Sequence, residues 1–270
     1  QNGSIFGNQV GGTGGTGGTV HVTNHGRIEI GTPDGRIKGY ARGSGIYANS
    51  FGGSGGTDNG AAGGGGEVNV TNTGQISVAW EMTDGAEVFG IHAISEAGSG
   101  SESKDPSDDG GAGGAAGAVT VSSSGDILVD LGDATGSYTG DGAGIAALSQ
   151  GGKGGIGPDH THTGGKGGTG QSATVYLQGA NSRVVTRGKS LYGILAQSLG
   201  GQGGDGKDSA AIAGEGGGAA DVPGGRHRGR GRVGRLRTGG QARIGCGHGV
   251  RGRQGRGRRS AACDGDGVWG

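Results

Sequence analysis

Two short patterns of alternating apolar and polar residues recur along the first 222 residues. The first is Val20-His21-Val22-Thr23-Asn24-His25-Gly26-Arg27-Ile28-Glu29-Ile30. Apolar residues take every second position on both sides of a central Asn-x-Gly, the period of a strand with one buried face. Asn tolerates the left-handed region and bonds its own backbone, and Gly turns there without steric cost. The segment therefore reads as strand, tight bend, strand. It returns from Val68 to Val78 and from Val119 to Val129, and more loosely from Val175 through a longer turn at Gly179 to Val184. Starts at Val20, Val68, Val119 and Val175 lie 48, 51 and 56 residues apart. Periods of this size point to a solenoid or array.

The second pattern is Gly-Ile-x-Ala-x-Ser. It appears at Gly45, Gly90, Gly144 and Gly193, and a Gly-Gly pair follows shortly after in every copy but the one at Gly90. It predicts another short strand, with Ile46, Ala48 and Ser50 on one face and Tyr47 and Asn49 on the other. Residues between the two patterns, such as 77–88, have room for a further strand. At about 3.3 Å per strand residue such a unit exceeds one tight coil, so it reads as two coils or as one coil plus a large excursion.

An antiparallel hairpin and the corner of a parallel β-helix both fit the strand-bend-strand segment. The corner is favoured, because Asn-x-Gly recurs once per unit and a coil leaves fewer open edges than a row of hairpins. Corners in register would stack Asn24 on Asn72, with Ser123 in the same slot. Glycine-rich runs follow each Gly-Ile-x-Ala-x-Ser, at 52–66, 98–117, 151–170 and 200–218. They are expected to be flexible, solvent-exposed loops on one face, and the run at 11–18 reads as the end of one more.

Composition agrees with a repeat rather than a single compact core. Glycine accounts for 77 of 270 residues, and only 29% are hydrophobic. A repeat needs to bury only a thin strip against its neighbours. The formal net charge of zero hides two opposite parts. Residues 1–222 carry 11 Lys and Arg against 21 Asp and Glu, whereas residues 223–270 carry 12 Arg against 2 Asp. Both cysteines, Cys246 and Cys263, fall in the basic part, so no disulfide framework is available to the repeats. No charged segment followed by an apolar run precedes the repeats, and no stretch approaches the roughly 20 apolar residues of a spanning helix. With Gln1 first and Met82 the only methionine, the expectation is a piece of a longer protein.

At Val222 the repeat pattern stops, and an Arg/Gly tract runs from Gly224 to Gly270. Three readings are open: a slip of reading frame, a nucleic-acid-binding Arg/Gly segment, and a disordered extension. The slip is favoured. Codons for Cys263 to Gly270, read one base later, permit Val-Thr-Val-Thr-Val-Ser-Gly, the strand type of Val119 to Ser122. Stacking aromatics other than Trp269 are missing from the tail, and no nucleic acid is expected as a partner.

Candidate chemistry is sparse. Asp159-His160-Thr161-His162 could present two imidazoles to one side, but zinc needs three or four converging ligands. The acidic run from Glu102 to Asp109 lacks the nonapeptide period of calcium-binding β-rolls. Asp126 and Asp130 are close in sequence, but the equivalent slots of the preceding unit hold Gln75 and Trp80, so no carboxylate cluster stacks. Gly43-Ser44-Gly45 precedes a repeat rather than forming a nucleophile elbow. No phosphate-binding glycine fingerprint sits between a strand and a helix. No catalytic, cofactor-binding or metal-ligating residue is expected.

The paired motifs, Val-x-Val-x-Asn-x-Gly-x-Ile and Gly-Ile-x-Ala-x-Ser-x-Gly-Gly, resemble the passenger repeats of large glycine-rich autotransporters of Gram-negative bacteria. The resemblance covers residues 1–222. It implies a right-handed parallel β-helix, displayed at the cell surface or outer membrane, or secreted, by a C-terminal translocator β-barrel lying outside this chain. It also implies a non-enzymatic adhesive or structural role, with a host or neighbouring cell surface, glycan or matrix as the partner. The expected fold is thus an all-β, right-handed parallel β-helix with long glycine-rich loops over 1–222 and a disordered Arg/Gly tail over 223–270. Two other readings stand beside it: a polysaccharide-active β-helix enzyme, marked by stacked carboxylates in a groove, and a flexible glycine-rich wall or matrix protein without a regular fold.

Overall fold

A computed structural model describes residues 12–39, 42–82, 87–105, 107–132, 142–158, 162–179, 182–188 and 191–205. The Arg/Gly tract and residues 159–161 lie outside these. Among the described residues there are strands and no helix. They are β1 (Val20–Asn24), β2 (Ile28–Ile30), β3 (Ile37–Gly39), β4 (Gly43–Phe51), β5 (Val68–Asn72), β6 (Ile76–Met82) and β7 (Val88–Glu96). Then come β8 (Val119–Ser123), β9 (Ile127–Asp130), β10 (Gly142–Gln150), β11 (Ala173–Leu177), β12 (Val184–Arg187) and β13 (Leu191–Leu199).

All the strand pairs are parallel and join equivalent segments of successive units. The first sheet is β1-β5-β8-β11, the second β2-β6-β9-β12 with β3 also on β6, and the third β4-β7-β10-β13. The strands flanking each Asn-x-Gly therefore enter different sheets and are not the two arms of a hairpin. Each unit passes once through the three sheets, so its length comes from an excursion and not from a second coil. Among the described residues the separate further strand expected between the motifs exists only as β3; in the second unit β6 itself runs on to Met82.

Register follows the alternating pattern. Val20 lies beside Val68 and Val68 beside Val119, while Ile46, Ile91, Ile145 and Ile194 form one row of the third sheet. The fourth unit departs from the expected alignment. Ala173, not Val175, pairs with Val119. Val175 instead continues the row of Val121, because the small Ala173 takes the inward slot that valine fills elsewhere. Inward residues of all three sheets meet in one core, with Val68, Ile76, Ile91, Val119, Ile127 and Ile145 buried at its centre. Each such side chain is worth about 1.5–3 kcal/mol, so a narrow aliphatic spine suffices for a glycine-heavy chain.

The predicted polar ladder is present at the corners. Asn24 Nδ2 donates to Asn72 Oδ1 at 2.8 Å, and Asn72 Nδ2 donates to Ser123 Oγ at 3.1 Å and to its own corner at Gly74 O, 2.9 Å. Leu177 ends the row. Asn72 is fully buried, and its loss takes one partner each from the amide of Asn24, which keeps Gly26 O, and the hydroxyl of Ser123, which keeps only a long bond to Gly125 O. Asn72→Ala is expected to cost about 2 kcal/mol, measured as a lowered urea midpoint with unchanged slope.

The glycine of Gly-Ile-x-Ala-x-Ser has a packing reason. A Cβ on Gly45 would sit 2.5 Å from Ile76 Cγ2, one on Gly90 2.4 Å from Ile127 Cγ2, and one on Gly144 2.1 Å from Val184 Cγ1. In each case the neighbour belongs to the second sheet of the next unit, so this glycine admits the spine residue above it. The closing serine has a role as well. Ser50 Oγ donates to Gly18 O and accepts from Gly66 N, and Ser149 Oγ donates to Gly117 O and accepts from Gln171 N. It thus fastens the third sheet to the last residues of the glycine runs.

Those runs differ most from expectation. They are hydrogen-bonded columns, not free loops. The first three excursions go out and come back, and their outgoing and returning segments stack on their counterparts in neighbouring units, while residues 206–218 of the fourth lie outside the described residues. Returning residues Gly14 and Gly17 donate to Ala61 and Gly64, Ala62 and Gly65 to Ala112 and Ala115, and Gly113 and Ala116 to Lys166 and Thr169. Outgoing residues do likewise: Gly52 and Gly55 donate to Glu96 and Ser99, and Gly151, Gly154 and Gly157 to Leu199, Gln202 and Asp205. A second set crosses between the columns, as in Gly155 N to Gly111 O at 2.7 Å and Gly168 N to Gly152 O at 2.8 Å. Both sets repeat every third residue. That is the period of an extended three-residue-per-turn chain, whose backbone groups all point outward for lack of internal bonds. The first excursion reverses at Asp58 and Asn59, which take φ of 61° and 54°.

Candidate functional site

Period three divides each glycine run into classes. Two of every three positions face neighbouring runs, where a few alanines such as Ala62 and Ala116 stand but most glycines between stacked runs leave no room for a side chain: a Cβ on Gly152 would lie 1.7 Å from Gly98 O, and one on Gly155 1.8 Å from Ser101 O. The remaining position points outward. It holds Thr13, Thr16 and Thr19 in the first returning run, and Lys166 and Thr169 in the last. In the outgoing runs it holds Ser54, Ser99, Glu102, Lys153 and Gln202. These residues are exposed on a frame fixed by backbone bonds on both sides. Their separation along a run is about 9 Å per triplet. The arrangement is an array of short polar and charged groups suited to touching a surface, with no convergence on one reacting atom.

The outer face of the third sheet is apolar, exposed at Tyr47 and Phe51 of the first unit and buried at Phe89, His92, Ala143 and Ala146 beyond it. Tyr47 and Phe51 are 51% and 57% exposed. In register with Tyr47 lies His92, then Ala146 and Leu195. Phe89, Ala143 and Ala146 form a small cluster there, with Tyr192 and Leu195 against it. His92 stacks on Phe89 with centroids 3.9 Å apart and meets the edge of Tyr47 at 5.5 Å. It is only 4% exposed, and among the described residues neither ring nitrogen has a hydrogen-bond partner. Burial, with a smaller push from the Arg42 guanidinium, lowers its pKa from 6.5 to about 4. The imidazole is therefore neutral at physiological pH and serves as an aromatic plate.

The carboxylates singled out in the sequence are engaged structurally. Asp126 pairs with Arg183, Oδ2 to Nη2 at 3.3 Å, and accepts from Arg183 N. Asp130 is buried and faces Arg36 at 3.1 Å and Arg187 at 3.7 Å, and it accepts from Gly132 N at 2.8 Å. The slot equivalent to Asp130 in the preceding unit is Ala79 rather than Trp80, which pairs with Ile37 instead. The register runs unbroken from Ile76 beside Ile127 to Ala79 beside Asp130, so Trp80 lies one residue beyond the slot. Within the acidic run, Asp105 accepts from Ser107 N and Oγ, and these bonds hold its carboxyl below the usual range. Asp108 accepts from Asn59, and Asp109 from Thr163 N. Among the described residues no three His, Cys, Asp or Glu side chains converge as metal ligands. His162 is described, but the rest of the Asp159 to Thr161 segment lies outside the described residues.

No family model matches the chain, and no curated protein or solved structure matches it either. The outward array and the apolar outer sheet face therefore carry the functional reading. Sequence reasoning missed the array, although Gly-Gly-Thr repeated from Gly11 to Thr19 and Gly-Gly-Lys-Gly-Gly-Ile from Gly151 to Ile156 hold the period-three signal.

Proposed function

We propose that the chain is a stretch of right-handed parallel β-helix of the autotransporter-passenger type, and that its work at a cell surface is non-enzymatic adhesion. One observation carries the reading: a rigid hydrogen-bonded frame turns every third residue of its glycine runs outward, and the outgoing runs with the first and last returning runs present exposed Thr, Ser, Lys and Glu side chains there, while the two middle returning runs present Ala61, Gly64, Ala112 and Ala115. Repeated weak contacts on a fixed lattice gain strength through number rather than through any single pocket. The three parallel sheets around one core support the coil geometry. A host or neighbouring cell, glycan or matrix is the partner, and the translocator barrel belongs to the parent protein outside this chain.

The test compares free and arrayed protein. Beads coated densely with the chain are expected to hold to cells or matrix at least about 10²-fold more tightly than the soluble chain does. Replacing Lys153, Lys166 and Thr169 by alanine should weaken that retention without lowering the melting temperature. Beads that adhere no better than beads carrying an inert protein would remove the adhesive role.

A further inference from the structure

The outer face of the third sheet carries aromatic rings that the spine does not need. Ile46, Ala48 and Ser50 of β4 are buried, so Tyr47, Asn49 and Phe51 take the outward positions. Tyr47 and Phe51 are each more than half exposed. The slot of Phe51 holds Glu96 and Gln150 in the next two units, so the position itself does not call for an apolar side chain. This face runs along the side of the coil. A unit before β4 or after β13 would extend the sheet in its own plane rather than lie across it.

Tyr47 is a fixed plate. Asn49 Nδ2 donates to its phenol oxygen at 2.7 Å, and the His92 ring meets it with centroids 5.5 Å apart. The phenol thereby keeps its own hydrogen for an outside acceptor. Phe51 stands four residues further along the strand, about 13 Å away at the rise of a strand. Glu96 lies beside it in register and is only partly buried. Among the described residues the Glu96 carboxylate has no ion pair and no hydrogen bond. None of β4, β7, β10 and β13 holds a lysine or arginine.

Plates, acceptors and a phenol donor on one flat face have a definite chemical complement. The C–H face of a pyranose ring is weakly positive and stacks on the negative face of an aromatic ring. The hydroxyls at its rim then reach sideways to carboxylate, amide and phenol groups. A hydrocarbon tail would leave the Glu96 carboxylate unpaired against it. An acidic glycan would meet that charge with no cation on these strands to offset it.

We propose that Tyr47, Phe51, Glu96 and Gln150 form a binding surface for a neutral polysaccharide chain lying along β4, with Asn49 holding the Tyr47 plate. The plates stand further apart than one pyranose ring is wide, so they seat different sugars of one chain. The surface deepens the adhesive reading and rests on it, at residues apart from the outward array of the glycine runs.

The experiment titrates the whole soluble chain by isothermal calorimetry with mannan, dextran and galactan as neutral polymers and heparin as an acidic one. At least one neutral polymer is expected to bind, and heparin is not. The monosaccharide of the bound polymer should compete only at far higher concentration. Phe51→Ala should weaken binding about tenfold or more with an unchanged melting temperature, since its ring is exposed. Tyr47→Ala should act likewise, and Tyr47→Phe, which keeps the plate, less. Failure of all three neutral polymers to bind would overturn the proposal. So would binding that both alanine variants leave unchanged, or tighter binding of heparin. Self-association or adsorption to phosphatidylcholine vesicles that Phe51→Ala abolishes would give the face to a second copy or to a lipid surface instead. The bead assay reads Lys153, Lys166 and Thr169, so the array can fail there while this surface binds, and the reverse.

Discussion

Gly168→Ala is expected to destabilise the chain by about 3 kcal/mol or more, seen as a large fall in the urea midpoint. The added methyl would sit 1.7 Å from Gly114 O, and that carbonyl belongs to backbone held on both sides. No side chain can swing away to make room. Gly168 also donates to Gly152 O at 2.8 Å and accepts from Gly201 N at 2.8 Å, so any shift breaks bonds in two columns. Thr169→Ala, one residue on and pointing to solvent, is expected to change stability by less than about 0.5 kcal/mol. Equal midpoints for the two variants would mean that the glycine runs do not pack as columns in solution.

Acid is expected to loosen the protein through His92. Its folded pKa of about 4 lies below the ordinary 6.5. Between those values the unfolded chain binds more protons, so stability rises with pH across that window. The contribution is complete above 6.5, shrinks as pH falls toward about 4 and is gone below it. Its full size is about 3 kcal/mol. His92→Phe keeps an aromatic plate between Phe89 and Tyr47 and removes the proton site. Urea unfolding from pH 4 to pH 8 should then show a flatter profile for the variant. A wild-type midpoint that holds steady over that range would contradict the burial of an unpartnered imidazole.

How much of this could be read from the residues depended on which period was sought. Alternation of two, as in Val20-x-Val22 and Ile28-x-Ile30, located the strands and the spine, because a buried sheet face allows no other spacing. The slot of Asn24, Asn72 and Ser123 followed from the repeat alone. Val175 misled in the fourth unit, since valine looks like a strand start and alanine does not, yet Ala173 takes the slot. The glycine runs misled more deeply. Glycine usually signals freedom, and their order comes from backbone contacts between units that no single run displays. His92 gave no signal either, as it packs against Phe89 on its own strand and Tyr47 on the strand of the preceding unit.

The triplet period also limits how such a chain can change its length. One residue inserted between Gly151 and Gly157 would rotate everything beyond it by about 120°, turning Lys153-type side chains into the Gly98 and Ser101 carbonyls and glycines out to water. Three residues of Gly-Gly-x would merely lengthen the ridge by one step. Descendants of this sequence can therefore grow or shrink their ridges only in whole codon triples of three, with each addition bringing one new outward side chain for selection to act on.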